Sequence, residues 1–254
     1  MPDITAHSAD TWVNNANADW NTCRTAAGGN LTDAGANTTY STFGVYHNYS
    51  AGRGSAQYYL RRSYFPFDLS SYSGTATSAS FKVWLHRNSS WTPGGGGANV
   101  HYLKCIVCAA DTVIPISTNS SDGESYFRNI DHSTTYSDKF TPGNLGVTQH
   151  SITLNSDALT AINNAIGQSD ASGIFTLGLT TYFDQLGTDT QSGIGTYTGA
   201  YKVTVHYSDS SGKEPILQLD SGVSSGYSKS VAGSDSPVKV IGIATSDIEK
   251  VIGV

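Results

Sequence analysis

Over residues 79–86 the chain alternates without a break. Phe81, Val83 and Leu85 fall on one side, and Ser80, Lys82, Trp84 and His86 on the other. A period of two marks a strand with one buried and one wet face. A helix is excluded there, because its apolar stripe recurs every three or four residues. Other segments keep the same short measure. Residues 100–108, 150–154, 174–179, 201–207 and 216–219 each read as a strand, with Tyr201, Val203, Val205 and Tyr207 inward in theirs. Gly, Ser, Asn and Thr separate them, and these residues make turns. Pro66 removes a ladder donor, so residues 58–68 are predicted to form an edge strand or a bulge. One helix interrupts the pattern. Ser156 and Asp157 offer capping oxygens, Leu159, Ile162 and Ile166 share a face, and Gly167 ends it. The expected fold is all-β: an antiparallel, jelly-roll-like β-sandwich with one short helix.

A chain of 254 residues is long enough to bury one substantial core. Residues 1–57 read as an irregular cap with the first strand of the sandwich, anchored by Trp12, Trp20, Tyr40, Phe43 and Tyr46. Residues 58–220 are the sandwich core, and residues 221–236 are a Ser/Gly linker. Residues 237–254 repeat a pattern. Lys239-Val240-Ile241-Gly242-Ile243 returns as Lys250-Val251-Ile252-Gly253-Val254. Gly and β-branched residues make two short strands out of this, not a helix. Such runs suit docking on a neighbour. Val240, Ile241, Ile243, Ile248, Val251, Ile252 and Val254 are the expected assembly contacts.

Charge narrows the partners. The net charge is −6 with no basic run, and phosphate binding needs clustered Lys and Arg, so nucleic acid is not expected. No apolar run reaches the roughly 20 residues of a membrane helix, so no membrane insertion is expected. The segment from Met1 to Thr5 lacks the charged and apolar regions of a secretory signal, although the body is Ser/Thr/Gly/Asn/Tyr-rich like an extracellular β protein. Cytoplasmic synthesis and assembly into an external particle reconciles the two.

The middle of the chain resembles the disaggregatase-related repeat family, the DNRLRE-type carbohydrate-module sandwiches. The resemblance rests on Asp10-Thr-Trp-Val13, Arg61-Arg62 running to Phe67-Asp68-Leu69-Ser70-Ser71, and Ser78-Ala79-Ser80-Phe81-Lys82-Val83. It continues through Ile152-Thr-Leu154 with the following helix, Gly173-Ile-Phe-Thr-Leu-Gly-Leu179 and Pro215-Ile-Leu-Gln-Leu219. It spans roughly residues 10–220 and implies a glycan-contacting sandwich. Where that family often carries a Phe-x-Ser-x-Glu loop, this chain reads Tyr182-Phe-Asp-Gln-Leu and has no Glu. Residues 239–254 are similar to the ends of phage virion and tail-associated proteins.

Catalytic patterns are weak. Asp131-His132-Ser133 has the residue types of a triad, but adjacent residues cannot stack in triad geometry. The histidines form no HExxH pair, though His86, His101 and His206 lie on strands that could meet. Cys23, Cys105 and Cys108 are odd in number. Cys105 and Cys108 sit three apart on a strand, so their thiols diverge as free cysteines. Asp122, Glu124 and Asp131 offer hard oxygens for a structural calcium; no other cofactor is expected. The competing fate of those carboxylates is a solvated loop. Trp84, Trp91, Tyr126 and Tyr182 are the candidate glycan contacts, with Tyr126 and Tyr182 in loops. Burial in the core or under the N-terminal segment is the competing fate of each.

The expectation is a non-enzymatic phage virion protein, a capsid decoration or tail-associated component. Its partners would be other virion proteins, copies of itself and host-surface glycans. The alternative is an extracellular carbohydrate-binding module of a secreted or cell-surface protein.

Overall fold

The computed structural model describes residues 2–25, 30–35, 40–50, 57–87, 104–111, 127, 129–143, 146–187, 199–220, 222 and 224–225. The first strands are β1 (Asp3–Thr5), β2 (Thr11–Asn17), β3 (Asn30–Gly35), β4 (Tyr40–Ser50), β5 (Gln57–Asp68), β6 (Tyr72–Ser73) and β7 (Ala79–Arg87). Then come β8 (Cys105–Ala110), β9 (Ile130–Thr135), β10 (Thr148–Thr153), β11 (Ile174–Thr181), β12 (Gly199–His206), β13 (Ile216–Leu219) and β14 (Ser224–Ser225). Three helices accompany them: α1 (Trp20–Thr25), α2 (Ser156–Ala165) and α3 (Tyr182–Leu186).

The strands pair in the order β1-β13-β7-β12-β4-β5-β11-β8-β9. Strand β10 joins β7, β2 joins β5, and β3 joins β2, with every pairing antiparallel. Strand β5 changes partners along its length. One side carries β2 from Tyr58 to Tyr64, while the other carries β4 as far as Arg61 and then β11 from Ser63. Strand β7 does the same, with β10 on one side and β13 then β12 on the other. The consequence shows in the aromatic core. Phe65 of β5 and Phe81 of β7 have ring centroids 5.1 Å apart. Three strand steps in a flat sheet would separate them by about 14 Å. The sheet therefore folds over on itself, and the architecture is all-β and sandwich-like.

Two apolar clusters result. The first fills the interior with Phe65, Phe67, Phe81, Val83, Leu85, Leu177, Leu179, Val203, Val205 and Leu217, all fully buried. The second lies on the other face of β5 and β8 and holds Val13, Trp20, Cys23, Leu60, Tyr64, Ile106, Phe127 and Ile130. Alternation along β5 divides Leu60 and Tyr64 from Phe65 and Phe67. On β8 it divides Cys105 from Cys108, so the two thiols diverge as the strand reading required. All three cysteines are free and buried, and burial pushes the Cys23 and Cys108 thiols up to about 12. Gly178 of β11 admits the second layer, since a Cβ there would lie 2.6 Å from Cγ1 of Ile130.

Four details differ from the sequence reading. Residues 1–57 carry β1 to β4 and α1, so the irregular cap gives way to sheet. Their periodicity is masked because β2 buries Asn14 and Asn15 where apolar residues are expected. Two extra helices appear, α1 and α3, of 6 and 5 residues and too short to show a 3.6 period. The cap of α2 is Asn155, not Ser156 or Asp157. Its side chain accepts from the backbone N–H groups of Asp157 and Ala158, each at 3.1 Å. Pro66 lies in a strand with neighbours on both sides, yet at a local edge. It sits beyond the end of β2, and its carbonyl accepts from the N–H of His7 at 2.8 Å. The C–O and N of one strand residue point the same way, so the missing donor faces the irregular segment.

Candidate functional site

The densest chemistry in the fold is a charged cluster under the second apolar layer. Arg62 follows Leu60 on the inward side of β5, and Asp184 lies on α3; each side chain is 1% exposed. The Arg62 Nε donates to Asp184 Oδ2 at 2.6 Å, and Nη2 donates to Oδ1 at 2.7 Å. The remaining donors reach the carbonyls of Phe127 and Arg24. The guanidinium also lies 3.8 Å from the centroid of the Phe127 ring. Thr180 Oγ1 donates to Asp184 Oδ2 at 2.7 Å. Arg24 of α1 reaches across to the last turn of α3, where its Nε donates to the Asp184 carbonyl at 2.6 Å. Trp20 Nε1 donates to the Gly187 carbonyl at 3.2 Å.

The electrostatics follow from this geometry. Burial opposes the Asp184 charge, but the Arg62 guanidinium overrides it and holds the carboxyl well below its ordinary range. His132 of β9 places Nε2 3.6 Å from Asp184 Oδ1. Burial pushes this imidazole down to about 4, so it is neutral at neutral pH. Both carboxylate oxygens of Asp184 are spoken for, and the guanidinium donates from all of its nitrogens. Such a cluster ties α1, α3, β5 and residue 127 together, and beside it both ring nitrogens of His132 are buried with no hydrogen-bond partner among the described residues. Sequence reasoning passed over it. Its one local signal is an arginine at an inward position between Leu60 and Tyr64, which demands a carboxylate from elsewhere in the chain.

The residues singled out from sequence are dispersed. Trp84 is half-buried on the outward side of β7, opposite Gln149 of β10, with Lys213 Nζ 5.9 Å from its ring centroid. Tyr182 is not in a loop; it is the first residue of α3, because Thr181 caps that helix through its side-chain oxygen. Lys139 Nζ lies 4.4 Å over the Tyr182 ring and donates to its hydroxyl at 3.2 Å. Trp84 and Tyr182 share no ring contact. Asp131 is exposed on β9, where its Oδ1 accepts from the Ser133 N–H at 2.9 Å and from Ser133 Oγ at 2.6 Å. These bonds hold its carboxyl down to about 2. Trp91, Tyr126, Asp122, Glu124, His101 and the seven assembly positions between Val240 and Val254 lie outside the described residues. No group of three or more His, Cys, Asp or Glu placed to hold a metal occurs among the described residues.

No protein family matches this chain, and no curated protein matches it in sequence. No helix among those described is long and apolar enough to cross a membrane.

A second buried carboxyl behaves in the opposite way to Asp184. Asp10, at the entry to β2, is 1% exposed and accepts from the Ser208 N–H and Oγ, both at 2.7 Å. Burial outweighs these bonds and pushes Asp10 up to about 7. Between about pH 4 and 7 the native state keeps a proton that the unfolded chain has lost. Asp10 therefore makes stability fall as pH rises through that window, by at most roughly 4 kcal/mol. His132 acts the other way. Between about pH 6.5 and 4 the unfolded chain takes up a proton that the native imidazole refuses. Asp10→Asn is expected to gain stability relative to its parent as pH rises from 4.5 to 7.5. Urea midpoints at the two pH values measure this, and a constant difference contradicts it.

Proposed function

We propose that the protein is a non-enzymatic structural component of a phage particle, a capsid decoration or tail-associated protein assembled in the host cytoplasm. The observation that carries this reading is the paired segment 239–243 and 250–254, Lys-Val-Ile-Gly followed by Ile or Val, behind a Ser/Gly-rich stretch. Two β-branched runs of this kind add as strands to the sheet of a neighbouring subunit. Main-chain pairing supplies affinity there, and Val240, Ile241, Val251 and Ile252 supply register. Identical subunits joined in this way form a point-symmetric oligomer where the rotation closes and a filament where it does not. A structural role also suits the buried charges, since Arg62 and Asp184 saturate each other in holding helices to sheet. The assembly needs no cofactor.

In this reading the sandwich projects outward and touches host-surface glycans. Trp84 supports that part, since an outward indole offers a flat apolar face to the C–H face of a sugar ring. The same residue favours the second reading, a carbohydrate-binding module of an extracellular protein. Solution mass separates the two. The full chain is expected to be an oligomer that residues 1–236 cannot form.

A further inference from the structure

A cleft of about 300 Å³ lies where α2 crosses the start of β11, away from the charged cluster and from Trp84. Its wall is Ala161 and Ala165 of α2 with Ile174 and Phe175 of β11, and its polar positions include Tyr136 and Asn164. Every side chain lining it is uncharged.

Tyr136 is held in place. Its ring stacks on Phe175 with centroids 5.7 Å apart and planes at 27°. Its N–H donates to the Val107 carbonyl at 2.8 Å, and its own carbonyl accepts from the Asn155 N–H at 2.9 Å. Yet among the described residues its hydroxyl has no hydrogen-bond partner, and it is not sealed from solvent. Asn164 stands exposed on the same helix face as Ala161, and its carboxamide is equally without a partner among the described residues. A rigid phenol and a free carboxamide thus border one small apolar surface.

We infer that this cleft binds a single neutral sugar ring. The phenol and the carboxamide each both donate and accept, which matches adjacent ligand hydroxyls that do the same. The alanine and isoleucine wall takes the C–H face of the ring. The volume sits at the lower end of small-molecule sites, so one ring fits and a chain does not. An anionic ligand finds no cation in the lining, and burying its charge there is costly. The inference does not depend on the assembly reading and does not use Trp84.

The test is an amide NMR titration of the full chain with neutral methyl hexosides and, separately, with glucuronic acid, each to tens of millimolar. Saturable shifts are expected at Tyr136, Asn164, Ala165 and Ile174, with glucuronic acid binding more weakly than the neutral sugars. Asn164→Ala, at an exposed position that leaves the core untouched, is expected to weaken binding about 10-fold, the loss of one good hydrogen bond. Tyr136→Phe keeps the stacked ring and is expected to weaken it as well. The inference is overturned if no neutral hexoside gives a saturable shift at these residues, or if affinity is unchanged in Asn164→Ala. It is equally overturned if the shifts centre on Trp84, a result that leaves surface glycan contact standing without this cleft.

Discussion

Arg62→Ala is expected to destabilise the fold by about 3–5 kcal/mol, the loss typical of a buried pair stripped of one partner. The guanidinium is fully enclosed and donates to α3, to the Phe127 carbonyl and to the Arg24 carbonyl. Its removal leaves the Asp184 carboxylate buried, with Thr180, the neutral His132 Nε2 at 3.6 Å and Arg24 Nε at 3.7 Å as its remaining company. Asp184→Ala strands the cation instead and is expected to cost a similar amount. The two losses will not add. Arg62→Met combined with Asp184→Leu buries no charge and is expected to be more stable than either single alanine variant. Urea unfolding of the four proteins measures the coupling. Single losses below about 1 kcal/mol would show that the pair is a surface-like contact. Asp184 adds an acid limb to the profile. Its carboxyl is held low, so its stabilisation is present above the ordinary carboxylate range and is lost as pH falls below it.

Phe81→Ala is the second large effect, also about 3–5 kcal/mol. Phe81 is fully buried and meets Phe65 at 5.1 Å and Phe67 at 6.1 Å between ring centroids. Both partners come from the opposing layer, so truncation opens a cavity between layers that neither sheet can close alone. Lys82→Ala, one residue on and facing outward, is expected to stay within about 0.5 kcal/mol. Equal effects at the two positions would contradict the folded-over sheet. Calorimetric or chemical unfolding of the pair is sufficient to decide.

Legibility in the sequence tracks how local the determining interaction is. The β7 strand was readable because Phe81, Val83 and Leu85 bury one face while Lys82, Trp84 and His86 stay wet, and the structure keeps that alternation. Helix α2 was readable from Leu159, Ile162 and Gly167, with its cap misplaced by one residue because Asn155, Ser156 and Asp157 all carry capping oxygens. Strand β2 was hidden because Asn15, fully buried, is partnered outside the strand: its Nδ2 donates to the Cys23 carbonyl at 2.7 Å, while its Oδ1 has no hydrogen-bond partner among the described residues. The charged cluster was hidden for the same reason. Arg62 and Asp184 are 122 residues apart, and nothing near either one announces the other. The sugar cleft has no local pattern at all, since it is made where a helix, a strand end and Tyr136 meet.

The proposed assembly into a particle component rests on the repeated segment 239–254. Light scattering on the full chain beside residues 1–236 tests it most directly. A discrete oligomer or a filament is expected for the full chain, and a folded monomer for the shorter one. Equal masses for the two, with both folded, would contradict it and shift the weight to a monomeric carbohydrate-binding module.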